Sequence, residues 1–258
     1  MNALQPYCER EGQGPDLVLL HGWGLHGGIF DLLRPLLAPY FTLHVIDLPG
    51  FGRSPLPKGD YDIPFLAQQV LSVAPARAHY LGWSLGGMVA TQIAAQTPAR
   101  IDKLITVASN PRFAQDTDWP HAMKIAVLEN FTAFLSEDYE GTVIRFLGIT
   151  TMGSETQKDD IKQLKASVFL HGLPAADALR GGLDILRHAD LRHALPSIQA
   201  PFLRLYGRLD ALVPMRVAGD VQALCPHSEQ YIFPKASHSP FMSHREEFAQ
   251  RVIDWLNH

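Results

Sequence analysis

The sequence predicts an α/β protein: a mostly parallel central sheet flanked by helices, with a helical cap inserted between two of its strands. Three features predict it. Short apolar runs alternate with helical stretches through residue 110, the rhythm of βαβ units that build a parallel sheet. One of these runs passes through Gly-X-Ser-X-Gly directly into a helix. After residue 110 the pattern becomes helices and turns alone, and strands return only at Pro201.

In chain order the elements read as follows. A continuous apolar strand at 17–20 leads to a helix near 29–37, a strand at 43–46, a helix near 64–74 and a strand at 79–81. The helix at 85–96 follows at once, then a strand at 104–108. Helical periodicity at 127–135, 141–147, 158–168 and 175–186 fills the next stretch, which reads as a cap over 111–196. The core is then 1–110 together with 197–258. Strands at 201–206 and 230–233 and a terminal helix complete it. An excursion between two strands leaves and rejoins a parallel sheet at its carboxyl edge, so the cap is expected to roof whatever stands there.

What stands there is Ser84. In His79-Tyr80-Leu81-Gly82-Trp83-Ser84-Leu85-Gly86-Gly87 the serine occupies a sharp strand-to-helix turn, with glycine at 82 and 86 so that neighbouring backbones can pass. The alternative, an inert serine in a tight turn, lacks a reason for both flanks to be right. A nucleophilic serine needs a base, and the base needs an acid to orient it. His238, in Pro234-Lys235-Ala236-Ser237-His238-Ser239-Pro240, follows the strand at 230–233 and is the candidate base. His244, about one helical turn into the next element, and His227, which precedes the strand, read as solvated imidazoles. Asp210 follows the strand and turn Phe202-Leu203-Arg204-Leu205-Tyr206-Gly207 and is the candidate acid, completing the order Ser, Asp, His. Asp47 also ends a strand, but it precedes the serine and reads as a cap for the turn Leu48-Pro49-Gly50-Phe51-Gly52.

Acyl chemistry also needs donors for a tetrahedral oxyanion. The run Leu17-Val18-Leu19-Leu20 ends in His21-Gly22-Trp23-Gly24, a loop of the kind that supplies one backbone N–H, and the first residue of the elbow helix supplies the other. Trp23 and Leu85 are the expected donors. The Trp23 indole either faces the substrate or is an ordinary core aromatic, and the substrate-facing position is the one expected.

The chain as a whole bounds the partners. With 258 residues and 47% hydrophobic content it can bury a large single core. A net charge of −4 and no basic run give no attraction to nucleic acid or anionic lipid. The opening Met1-Asn2-Ala3-Leu4-Gln5-Pro6 lacks the charged and apolar regions of an export signal, and no apolar stretch approaches membrane-spanning length, so a cytoplasmic monomer is expected. Two cysteines, Cys8 and Cys225, make no disulfide framework, and no His/Cys pair has zinc-ligand spacing.

On these motifs the chain resembles the α/β-hydrolase family over its whole length. Within it, the chain resembles the pimeloyl-[acyl-carrier protein] methyl ester esterases of biotin synthesis. The resemblance rests on Leu19-Leu20-His21-Gly22-Trp23-Gly24-Leu25, Asp47-Leu48-Pro49-Gly50-Phe51-Gly52-Arg53-Ser54, the Ser84 elbow and Phe202-Leu203-Arg204-Leu205-Tyr206-Gly207. In the cap it rests on Thr106-Val107-Ala108-Ser109-Asn110-Pro111, Arg145-Phe146-Leu147, Thr151-Met152-Gly153 and Gly181-Gly182-Leu183-Asp184-Ile185-Leu186. The resemblance implies a serine esterase working through an acyl-enzyme, with catalytic roles on Ser84, Asp210 and His238. The implied substrate is a methyl-capped pimeloyl chain on acyl-carrier protein, and no metal or cofactor is implied. The family's acyl-binding stretch falls on Phe146, Leu147, Gly148, Ile149 and Thr150, beside Trp23, Ser84, Leu85 and His238.

An acidic carrier protein would dock on positive charge. Arg145 with Lys158, Lys162 and Lys165, the lysines at helical spacing, could form such a face, although Asp159 and Asp160 interrupt it and an ordinary solvated helix fits equally. The same triad also fits a broad short-chain esterase or a carbon–carbon bond hydrolase, and an inactive ligand receptor on a hydrolase scaffold is the non-enzymatic alternative. A haloalkane dehalogenase is disfavoured, because that chemistry would resemble this fold with aspartate in place of Ser84.

Overall fold

The computed structural model describes residues 4–152 and 155–258. Met1, Asn2 and Ala3 of the opening segment, and Gly153 of the cap motif, lie outside the described residues. Seven strands form one sheet: β1 (Cys8–Gly12), β2 (Asp16–Leu20), β3 (Thr42–Ile46), β4 (Ala78–Trp83), β5 (Ile101–Val107), β6 (Phe202–Gly207) and β7 (Glu229–Phe233). Their spatial order is β1-β3-β2-β4-β5-β6-β7. Every neighbouring pair is parallel except β1 with β3. Helices cover both faces, which is why Leu17, Val18, Leu19 and Leu20 are apolar without alternation and wholly buried.

The helices are α1 (Arg34–Leu37), α2 (Ile63–Val73) and α3 (Leu85–Gln96) before β5, and α8 (Val217–Leu224), α9 (Pro240–Ser243) and α10 (Arg245–Asn257) after β6. Between β5 and β6 come α4 (Ile125–Glu137), α5 (Tyr139–Thr150), α6 (Gln157–Val168) and α7 (Ala176–His188). No helix among the described residues is long and apolar enough to cross a membrane.

Three differences from the sequence reading have physical causes. The helix expected at 29–37 is instead a 3-10 turn at Gly27–Phe30 followed by α1, because Pro35 lacks the N–H that a continuous helix would need there. β1 has no apolar signature because it is the antiparallel edge strand, and its Glu9 and Glu11 are turned to ion pairs with Arg34. The stretch before α4 holds two isolated bridges, Ala114 with Met123 and Asp116 with Trp119, where helix and turn alone were expected. Asp116 closes the second through its backbone, its N–H donating to the Trp119 carbonyl at 3.2 Å and its carbonyl accepting from the Trp119 N–H at 3.0 Å.

An aromatic ring fastens the helices inserted between β5 and β6 to the sheet. Trp23, at the end of β2, is fully buried, and its indole N–H donates to the Leu179 carbonyl on α7 at 2.9 Å. The ring meets Phe146 of α5 edge to face at 4.8 Å. Helix α7 comes this close only because residue 182 is glycine: a Cβ there would sit 2.5 Å from Trp23 Cδ1. Gly182→Leu should therefore push α7 off the core, lowering stability by about 1–3 kcal/mol as overpacking does. Urea unfolding of the variant measures this, and ester turnover should fall with it.

Candidate active site

Ser84 connects β4 to α3 with φ 54° and ψ −118°, one of two non-glycine residues at positive φ among those described. A backbone held there costs roughly 1–3 kcal/mol and persists only where the surroundings over-determine it. They do so here. A Cβ at Gly82 would lie 2.3 Å from the Gly86 carbonyl oxygen, and one at Gly86 would lie 2.4 Å from the Leu20 carbonyl oxygen. Strand, turn, helix and the end of β2 are thus in contact through bare backbone. The Ser84 N–H donates to the Val107 carbonyl at 2.9 Å, and the Ser109 hydroxyl donates to the Ser84 carbonyl at 2.8 Å.

Asp210 and His238 come together from the ends of β6 and β7. His238 Nδ1 lies 2.7 Å from Asp210 Oδ2, with both side chains fully buried. The other carboxylate oxygen accepts from the Leu212 and Val213 N–H groups at 2.8 and 2.9 Å. A carboxylate so placed accepts only, so Nδ1 carries the imidazole proton and Nε2 presents its lone pair. Nε2 is buried and has no hydrogen-bond partner among the described residues. The backbone is held as well: the His238 carbonyl accepts from the Trp83 indole at 2.8 Å, and its N–H donates to the Thr150 carbonyl at 3.1 Å. Through Trp83, the residue before Ser84, the histidine loop is fastened to the elbow itself.

Asp47 takes the structural place expected of it. Its Oδ1 accepts from Gly27 N–H at 2.7 Å and its Oδ2 from Arg53 N–H at 2.9 Å, tying the loops after β2 and β3 together. His244 is partly buried rather than fully solvated, with Nδ1 2.9 Å from Ser243 Oγ. His227 is exposed beside Cys225.

Trp23 and Leu85 both lie at the site, wholly buried, and neither backbone N–H donates to another described residue. The Trp23 indole does not face the cavity beside the serine. It is a core aromatic between the sheet and helices α5 and α7, because its N–H reaches Leu179 and its ring reaches Phe146. The loop that carries Trp23 is set by His21, which the sequence reading used only as part of a motif. His21 Nδ1 donates to the Gly22 carbonyl at 2.8 Å, and its Nε2 accepts from the Leu48 N–H at 2.8 Å. The bond accepted by Nε2 requires neutral imidazole. Burial pushes this group down from 6.5 to about 4, outweighing the opposite pull of Asp47.

A small pocket, with room for about one water-sized particle, lies beside Ser84, lined by Phe113, Met123, Leu128, Phe131, Phe146, Leu183, Leu186 and Leu212. Apart from the serine its wall is entirely apolar, and most of it comes from the stretch between β5 and β6. Of the expected acyl stretch, Phe146 lines this cavity and the other four do not. Leu147 is buried, nothing lies within 4 Å of a Cβ built on Gly148, and Ile149 is half-buried. Thr150 turns its hydroxyl back to the Leu147 carbonyl at 2.8 Å and serves the site through its own carbonyl, on His238. The wall residues on α7, Leu183 and Leu186, had a sequence signal, since with Leu179 they recur at helical spacing. Phe113, Met123 and Leu212 sit in loops and had none.

Fold and site together define an α/β hydrolase with a serine elbow. The family model for the alpha/beta hydrolase fold matches residues 15–245, and the chain belongs to that family. It is 49% identical over 252 residues to the pimeloyl-[acyl-carrier protein] methyl ester esterase of Pectobacterium atrosepticum, covering 96% of each chain. It is 48% identical over 248 residues to the esterase of the same name from Photobacterium profundum, covering 96% of this chain and 97% of that one. These relatives place it, within the α/β hydrolases, in the pimeloyl-[acyl-carrier protein] methyl ester esterase family. Among solved structures the chain superimposes on an esterase from Exiguobacterium antarcticum with a TM-score of 0.88 at 22% identity, over 98% of this chain and 96% of that one. An enol-lactonase from Burkholderia xenovorans gives a TM-score of 0.84 at 18% identity, over 98% and 96%, so at this distance the likeness is one of fold.

Two outcomes follow from the geometry. Asp210→Asn should lower kcat by about 10,000-fold through loss of the imidazole's orientation, whereas Asp47→Asn should lower stability and spare most turnover; steady-state kinetics on a p-nitrophenyl ester, beside thermal melts, separates the two. The second concerns acid. The unfolded chain takes up the His21 proton near 6.5 and the folded chain only near 4. The unfolded state therefore binds more protons in that window, and stability present above 6.5 is lost as pH falls through it, by a few kcal/mol. In His21→Asn, which has no proton to gain, this part of the stability–pH curve should flatten.

Proposed function

We propose that this protein hydrolyses the methyl ester of a pimeloyl chain carried on acyl-carrier protein, releasing methanol and the free acid. The observation that carries the reading is a strained serine elbow with a buried, oriented His238–Asp210 pair fastened to it through Trp83, beside an apolar-walled pocket. The names of the relatives at close to half identity supply the substrate class.

In this mechanism His238 Nε2 takes the Ser84 proton as Oγ forms a bond to the ester carbonyl carbon. The Trp23 and Leu85 N–H groups receive the oxyanion, each worth roughly 100- to 1000-fold in turnover. The imidazolium returns its proton to the departing methoxide as the carbon–oxygen bond breaks. Water then gives its proton to His238 and attacks the acyl-enzyme, Ser84 regains a proton, and the carboxylate leaves. The apolar wall around Ser84 excludes bulk water and favours methylene groups at roughly 0.8 kcal/mol each. In this reading residues 111–196 act as a cap on a core of 1–110 and 197–258, and the protein works as a cytoplasmic monomer without metal or cofactor, binding neither nucleic acid nor membrane.

Carrier docking is assigned to the basic residues of the cap. Lys158, Lys162 and Lys165 are exposed along α6, and Arg145, exposed on α5, stacks its guanidinium over Phe134 at 4.7 Å. None of the four forms an ion pair among the described residues.

Mass spectrometry of a methyl-pimeloyl carrier protein incubated with the enzyme tests the reaction: the wild type should convert it to the free acid and Ser84→Ala should not. Conversion of small esters with the carrier-bound ester untouched would remove the substrate assignment. For the docking surface, replacing Arg145, Lys158, Lys162 and Lys165 by Glu should lower kcat/KM on the carrier-bound ester about tenfold or more. Added salt should shrink that difference, and p-nitrophenyl hydrolysis should change little.

A further inference from the structure

Behind the elbow, between the sheet and helices α3 and α8, the fold buries a charge that the reaction does not use. Arg204 on β6 is 1% exposed. Its four partners are all neutral: Ser228 Oγ at 3.0 Å, Tyr206 Oη at 3.2 Å, the Ala218 carbonyl at 3.0 Å and the Gln222 side-chain carbonyl. No carboxylate among the described residues pairs with it. A guanidinium does not discharge by losing its proton, and a buried charge without a counter-charge is among the costliest arrangements a core can hold.

Beside Arg204 lies a small cavity with room for about one water-sized particle. Its polar lining comes from Arg204, Tyr206, Asn110, Thr106, Thr91 and Ser109. Asn110 is 3% exposed and its amide nitrogen has no acceptor. Tyr206 accepts from Arg204, and its own O–H finds no acceptor among the described residues. Thr91 and Ser109 have spent their protons on the Gly87 and Ser84 carbonyls. The acids nearest Arg204 offer no charge in return: burial raises the Tyr206 phenol, and burial raises the Cys225 thiol against the pull of Ser228 and Arg204. The cavity is therefore bordered by a fixed cation and by donors that lack acceptors.

We propose that this cavity is a binding site for a single halide ion, chloride, held by the Arg204 guanidinium, Asn110 Nδ2 and the Tyr206 hydroxyl. A monatomic anion matches the size of the space and supplies the missing counter-charge, whereas water in the same place leaves the guanidinium uncompensated. Thr106 and Arg204 are register partners on β5 and β6, so the ion braces the two strands whose ends carry Ser109 and Asp210. The inference is independent of which ester the protein cleaves.

Bromide is the probe. Crystals of the full chain grown with sodium bromide replacing chloride, measured at the bromine absorption edge, should show an anomalous peak within hydrogen-bond distance of Asn110 Nδ2 and Arg204. In solution the melting temperature should rise by a few degrees and saturate with chloride, compared with gluconate at equal ionic strength. Asn110→Asp, which places a carboxylate beside the guanidinium without changing side-chain size, should remove that chloride dependence. An ordinary water at the position, with no anomalous peak and equal melting in both salts, overturns the proposal.

Discussion

The positive φ of Ser84 is the constraint on which the rest of the structure depends. A side chain forced out at the carboxyl edge of a parallel sheet needs a strand and helix packed almost backbone to backbone, hence glycine at 82 and 86. It also needs neighbours on both sides. β2 supplies the Leu20 carbonyl against which Gly86 rests, and β5 supplies Val107 and Ser109, which bond the serine's own N–H and carbonyl. The central strands and the wholly buried apolar runs that form them are what keep an unfavourable backbone in place.

The same economy of connections assembles the pair opposite. Asp210 and His238 leave adjacent parallel strands, so their side chains arrive at one level, and each loop is fastened by backbone donors rather than by side chains alone. Trp83 is the joint between the two halves, being the residue before the nucleophile and the donor to the carbonyl of the histidine. His21 plays the corresponding part for the Trp23 loop, and burial keeps it neutral so that it can both donate and accept.

The Ser84 turn and the strand-end positions of Asp210 and His238 were legible in the sequence because each is a local event: a strand, a turn and a residue type at that turn. The helix after the serine was readable to its boundaries for the same reason. The cavity wall was not, because it is gathered from loops and from α4, α5 and α7, and only Phe146 fell inside the stretch expected to form it. The place of the Trp23 indole was hidden too, since its partner Leu179 lies 156 residues away. Edge strand β1 escaped because charges meant for Arg34 and Arg53 displaced its apolar pattern. The Arg204 cluster reads in sequence as one odd cation in an apolar strand, and only packing reveals that nothing acidic meets it.

The bond from the His238 N–H to the Thr150 carbonyl joins the last turn of α5 to the backbone of the residue whose ring meets Asp210. The direction of that imidazole is thus tied not to the sheet alone but to the seating of a helix from the long excursion between β5 and β6. A substitution that unseats α5, far along the chain from both partners, would be felt at the hydrogen bond between His238 and Asp210.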